Sequence, residues 1–126
     1  MKRSLVLLTL LLSTTVAWAE LPSATSADVD RALAAGKPAV IDLGARTCIP
    51  CKKMAPILEE LAGTYRGRAN VLFIDVREDQ SAAKRFAIQM IPTQVFFDGR
   101  GKEVKRHVGF MDKAEIIKEL QALGVK

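Results

Sequence analysis

Ala39-Val40-Ile41-Asp42-Leu43 leads through Gly44 to Thr47 into Cys48-Ile49-Pro50-Cys51, and from Cys51 to Tyr65 the chain takes on helical spacing. A short apolar run of this kind reads as a buried strand. Met54, Ile57, Leu58 and Leu61, three and four apart, form one apolar helix face. The two cysteines therefore stand at a strand-to-helix junction, and this junction constrains the fold more than any other feature. A strand that is apolar along its length belongs to a sheet covered by helices, which places the chain in the α/β class.

The remaining segments fit that class. Ser26 is expected to cap a helix over 27–35, with Asp28 and Asp30 in its first turn and Gly36 as its stop. Pro56 interrupts the helix that follows the cysteines and should kink it, and Gly67 helps to end it. Residues 71–76 read as a second buried strand, 81–86 as a short helix, and 93–97 as a third strand. Asp98-Gly99-Arg100-Gly101 is a turn into a fourth strand over 102–108, and Asp112 caps a last helix over 113–123 before Gly124. The order α-β-α-β-α-β-β-α predicts parallel pairing at the front and an antiparallel hairpin at the end. The result is a central mixed sheet of about four strands flanked by helices. A chain of 126 residues holds one such domain.

The first residues read as an address. Lys2-Arg3 is a basic start, Leu5 to Leu12 is an apolar stretch, and Ala17-Trp18-Ala19 is a cleavage motif before Glu20. Leu5 to Ala19 falls short of the roughly 20 residues that cross a bilayer. Residues 1–19 are therefore expected to be a cleaved signal peptide and 20–126 the mature domain, exported across a membrane, most simply into a bacterial periplasm. An uncleaved signal acting as an anchor is the alternative. Glu20 to Thr25 is expected to be a loose leader. The 19 Lys and Arg against 14 Asp and Glu give +5, and two of those cations lie in the signal. That balance supplies no case for nucleic acid.

Two cysteines and one histidine, His107, exclude a multi-disulfide scaffold and a His-rich metal site. At a helix N-terminus, free N–H groups and the helix dipole stabilise an anion. The thiolate is the nucleophilic form of cysteine. Pro50 suits the first turn, having no N–H to leave unpaired. Cys48, at the tip, is expected to attack, and Cys51, one turn inside, to resolve the mixed disulfide. The pair would cycle between dithiol and the Cys48–Cys51 disulfide. Other readings of the pair are half of a zinc site completed by a second copy, a purely structural disulfide, and a Cu(I) carrier using the two soft thiolates.

From about Lys37 to Leu123 the chain resembles the thioredoxin family. The resemblance rests on Ile41-Asp42, on Cys48-Ile49-Pro50-Cys51-Lys52-Lys53-Met54-Ala55-Pro56-Ile57-Leu58, on Ile91-Pro92-Thr93 about 40 residues later, and on Val108-Gly109. It implies a thioredoxin-like fold and a thiol–disulfide oxidoreductase, a protein-disulfide reductase, without an organic cofactor or metal. Its partners would be protein thiols and disulfides and a membrane-embedded thiol reductant, and it would act as a monomer. Asp42 matches the family's buried carboxylate, whose pKa desolvation should raise and which would accept the Cys51 proton. Pro92 matches the family's cis-proline. Ile91 beside it and Gly109 would receive the backbone of an extended substrate. Met90 and Phe110 would either rim the site or belong to the core. A non-enzymatic binding module on the same fold is the alternative function.

The departures from the family also carry information. Thr47 replaces the usual tryptophan, Ile49 replaces glycine between the cysteines, and Phe73 stands where a lysine commonly faces the carboxylate. No histidine lies between the cysteines, so the pair should oxidise less strongly than that of the oxidases and isomerases with this fold. His107 is expected on a surface strand rather than in the site.

Overall fold

The computed structural model describes residues 20–126, and residues 1–19, expected to be a signal peptide, lie outside the described residues. Four helices and four strands follow in the expected order: α1 (Ser26–Leu33), β1 (Ala39–Gly44), α2 (Ile49–Thr64), β2 (Asn70–Asp75), α3 (Gln80–Arg85), β3 (Thr93–Phe97), β4 (Glu103–Val108) and α4 (Lys113–Ala122). The strands lie side by side as β2-β1-β3-β4. β1 is parallel to β2 and antiparallel to β3, and β3 is antiparallel to β4. The sheet is mixed, with the short turn 98–101 closing its hairpin.

Every residue of β1 is buried, Asp42 included, as suits a mainly apolar central strand. Side chains alternate across the sheet and divide the core in two. Ile41, Leu43, Ile74, Val95 and Phe97 pack with Val29 of α1 and Ala82 of α3. Val40, Val71, Phe73 and Phe96 pack on the other face with Met54, Leu58 and Leu61 of α2 and Ile116 and Leu120 of α4. Asp42 and Gln94 fall on this second face by the same alternation, and no burial of apolar surface offsets their cost.

Several boundaries differ from expectation. Thr25, not Ser26, caps α1. Its hydroxyl accepts from the Asp28 N–H at 3.2 Å, and Asp28 Oδ2 accepts in return from the Thr25 N–H at 2.7 Å. This reciprocal box satisfies two free ends at once, which a cap at Ser26 would not. Residues 20–25 are not loose. The Ala24 N–H donates to the Phe73 carbonyl at 2.7 Å, and the Asp75 N–H donates to Ser23 Oγ at 2.9 Å. An edge strand otherwise presents unpaired groups, and this segment occupies those of β2. Helix α2 continues through Pro56 to Thr64.

Gly101 ties the hairpin to α1. Its φ is +77°, and a Cβ there would lie 2.6 Å from the Leu33 carbonyl oxygen, so no other residue fits without moving backbone.

Candidate active site

The register of the sheet assembles the site. Leu43, near the end of β1, pairs with Thr93 at the start of β3, and Thr93 pairs with Val108 at the end of β4. The loop after β1, the segment before β3 and the turn after β4 therefore emerge at one end of the sheet. They carry Cys48, Ile91-Pro92 and Gly109.

Cys48 is the N-cap of α2 and is disulfide-bonded to Cys51, with the two Cα atoms 5.1 Å apart. The Cys51 N–H donates to Cys48 Sγ at 3.3 Å, so a free backbone donor points at the outer sulfur. The first turn of α2 carries no acid. Cys48 is partly exposed and Cys51 is buried, which separates the two sulfurs by access.

Asp75 holds the loop that carries Cys48. It is 4 % exposed. Its Oδ2 accepts from the Arg46 N–H at 3.0 Å, and its Oδ1 accepts from the N–H groups of Arg77 at 2.9 Å and Glu78 at 3.2 Å. Burial pushes this carboxyl up, but the three backbone donors and the Arg46 charge outweigh burial and hold it below the usual carboxylate range. The Arg77 guanidinium donates to Thr47 Oγ1, so a cation occupies the neighbourhood of the residue before Cys48.

Behind the disulfide lies Asp42, with no exposed surface. Gln94 Nε2 donates to its Oδ1 at 2.8 Å, while Asp42 Oδ2 and Gln94 Oε1 have no partner among the described residues. Burial pushes the Asp42 carboxyl up to about 6, against the opposing pull of the Gln94 hydrogen bond. Gly44 stands between this carboxyl and Cys51. A Cβ at Gly44 would lie 3.1 Å from Cys51 Sγ and 3.4 Å from Asp42 Oδ2. The unpartnered oxygen and the inner sulfur thus border one space that only glycine leaves open.

The Ile91–Pro92 peptide is cis, as the resemblance implied. The Gly109 N–H donates to the Pro92 carbonyl at 2.8 Å, and Thr93 Oγ1 donates to the Met90 carbonyl at 2.7 Å, so both turns are fixed to each other and to β3. A Cβ on Gly109 would meet nothing within 4 Å, which leaves its surface open, and its φ of +100° is one that favours glycine.

A family model described as Thioredoxin matches residues 20–122. The thioredoxin of Staphylococcus saprophyticus is 46% identical over 83 residues, which cover 64% of this chain and 79% of the relative. That of Staphylococcus epidermidis is 40% identical over 96 residues, covering 76% and 90%. Among solved structures, chloroplastic thioredoxin z superimposes with a TM-score of 0.72 at 26% identity, over 86% of this chain and 97% of its own. The chain belongs to the thioredoxin family. With its C-x-x-C pair at the tip of α2, it is a thiol–disulfide oxidoreductase of the thioredoxin type.

Within this family framework, the structure brings Cys48, Cys51, Asp42, Pro92, Ile91 and Gly109 to one end of the sheet. Met90 and Phe110 are exposed rather than core, and Ile49 and Val108 are exposed beside them, forming an apolar rim. Phe73 pairs with Asp42 in register, so an aromatic residue stands beside the carboxylate, and the Arg46 guanidinium stacks over that ring at 5.0 Å. His107 sits on β4 with Nε2 at 3.0 Å from the Phe110 carbonyl oxygen. Sequence reading missed Gln94, Gly44 and Asp75. For Gln94 a signal existed: an amide in an otherwise apolar strand, two residues from Phe96 and so on the same buried face.

The buried carboxyl makes stability depend on pH with a definite sign. Its folded pKa, about 6, stands above the 3.8 of a solvated aspartate, so the folded state binds the proton more tightly. Stability is full at the acid end, falls as pH rises through the interval between these values, and is level above it. The rise corresponds to about 3 kcal/mol. Asp42→Asn should therefore be more stable than the parent by roughly 2–3 kcal/mol at pH 8 and nearly equal to it at pH 4. Denaturant unfolding of the oxidised proteins at both pH values checks this, and an equal difference at both would contradict it.

Proposed function

We propose that the protein reduces disulfides of exported proteins outside the cytoplasm, with Cys48 as nucleophile, Cys51 as resolving thiol and Asp42 as proton acceptor. The observation that carries this reading is the arrangement of the two sulfurs: an accessible one at the helix tip facing a backbone donor, and a buried one beside an unpartnered carboxylate oxygen.

The chemistry proceeds in two exchanges. Cys48 thiolate attacks one sulfur of the substrate disulfide. The Cys48–substrate bond forms, the substrate S–S bond breaks, and the other substrate sulfur leaves as thiolate. Cys51 then gives its proton to Asp42 and attacks Cys48 Sγ. The Cys48–Cys51 bond forms and the remaining substrate sulfur leaves. Two electrons have passed to the substrate, and the protein is left with the disulfide seen in the structure. The carboxyl suits this task because its pKa of about 6 leaves it ionised at neutral pH yet basic enough to take a proton. Ile91, Pro92 and Gly109 form the bed for an extended substrate segment, which the exposed rim of Ile49, Met90, Val108 and Phe110 would contact through apolar side chains.

The compartment follows from residues 1–19, read as a signal peptide removed before Glu20. Outside the cytoplasm re-reduction falls to a membrane-embedded thiol reductant, by analogy with other extracytoplasmic members of the fold.

Two experiments test the proposal. Cys51→Ser should accumulate mixed disulfides with substrate proteins and Cys48→Ser should not, as read by non-reducing electrophoresis; trapping by Cys48→Ser alone would reverse the two roles. Trp18 is the chain's sole tryptophan. Protein from the extracytoplasmic fraction should therefore have an intact mass beginning at Glu20 and show tyrosine-like emission. A mass that retains Met1 to Ala19, with tryptophan emission, would make the segment an anchor.

A further inference from the structure

Asp42, Gln94 and Phe73 lie in one row across the sheet, because β1 pairs Asp42 with Phe73 on one side and with Gln94 on the other. Gln94 is fully buried, and among the described residues its amide is the sole hydrogen-bond donor to the carboxyl. A buried glutamine costs stability unless it is satisfied, and this one is satisfied at only one end, since its Oε1 has no partner. The amide is retained on the face where Asp42 meets Cys51.

We propose that Gln94 is a positioning residue for the resolving step: it holds Asp42 Oδ1 and thereby presents the free Oδ2 to Cys51 Sγ across the space left open at Gly44. The proposal rests on the reading of Asp42 as proton acceptor. A carboxylate group is planar, so one oxygen pinned at 2.8 Å from a strand-borne amide sets where the other points. That other oxygen and Cys51 Sγ border the same point beside Gly44, at 3.4 and 3.1 Å. The amide has a second effect. An N–H donor favours the charged form, so it opposes burial and keeps the carboxyl able to accept a proton at neutral pH.

The other surroundings of Asp42 leave this role to Gln94. From β2 it meets Phe73, and α2 and α4 bring Met54, Leu58, Ile116 and Leu120 to this face, all uncharged. Cys51 is the titratable group that borders the same space. Farther off, Glu20, Arg46 and Lys52 line the small cavity beside Cys51 and Phe73. His107 pairs with Gln94 from β4 and is turned to the Phe110 carbonyl.

A chromogenic aromatic disulfide separates the two exchanges, releasing one thiol when Cys48 attacks and a second when Cys51 resolves. Gln94→Met removes the donor at nearly constant volume. The second phase should slow about tenfold near neutral pH and its pH inflection should move up by about one unit, while the first phase is unchanged. The Asp42 carboxyl, followed by ¹³C NMR in the oxidised protein, should titrate later by the same amount. Gln94→Leu should reproduce these shifts and serves if the methionine variant fails to fold. His107→Gln should leave the inflection in place; its loss there would assign the inflection to the imidazole and overturn the proposal. If Asp42→Asn abolishes the inflection but Gln94→Met leaves it where it was, Asp42 keeps its role and the role of Gln94 is refuted. If Asp42→Asn alters neither phase, both fall, and the failure lies with Asp42.

Discussion

The pairing of β1 with β3 is the constraint on which the active end of the molecule depends. It sets Leu43 against Thr93, and so brings the loop that follows β1 beside the cis peptide that precedes β3. The same ladder sets Asp42 against Gln94, one step farther in. A slip of β1 by one residue would turn Asp42 to the α1 face, away from Gln94, and bury Ile41 under α2 instead. Chemistry and core packing are thus specified by one register, and the apolar residues on both faces of β1 hold it.

The site spends stability to work. Asp42 is buried without an ion pair and with one of its oxygens unpartnered, a state the protein bears because the remainder of that face is well packed. Asp75 is the counterpart. It is also buried, yet three backbone N–H groups satisfy it, and its role is to hold the loop ahead of Cys48 still. Two acidic residues on neighbouring parallel strands thus shift in opposite directions, because three backbone donors and the Arg46 charge outweigh burial at Asp75 while a single amide does not at Asp42.

Much of this was legible in the sequence. The apolar runs identified three strands and the turn at 98–101 the fourth, the spacing of Met54, Leu58 and Leu61 identified the buried face of α2, and the C-x-x-C was legible at a strand-to-helix junction. Asp42, Pro92 and Gly109 were found through resemblance. What could not be read were contacts made across the chain. Gln94 meets Asp42 only through a register between strands 52 residues apart. Gly44 looked like a loop residue until the structure set Cys51 Sγ against it. The segment 20–25 carries no strand signal, and its order comes from the open edge of β2 that it covers.

As a thioredoxin-type pair, Cys48 and Cys51 form a two-electron couple, and the proposed reduction of exported proteins requires that this couple donate electrons. A redox titration of the folded domain against glutathione, with free thiols counted by alkylation and mass, tests it most directly. One transition is expected in which both thiols appear together, with a midpoint nearer to about −270 mV than to about −120 mV, since no histidine lies between the cysteines to stabilise the thiolate. A midpoint near the oxidising end, or a disulfide that does not re-form after reduction, would contradict it.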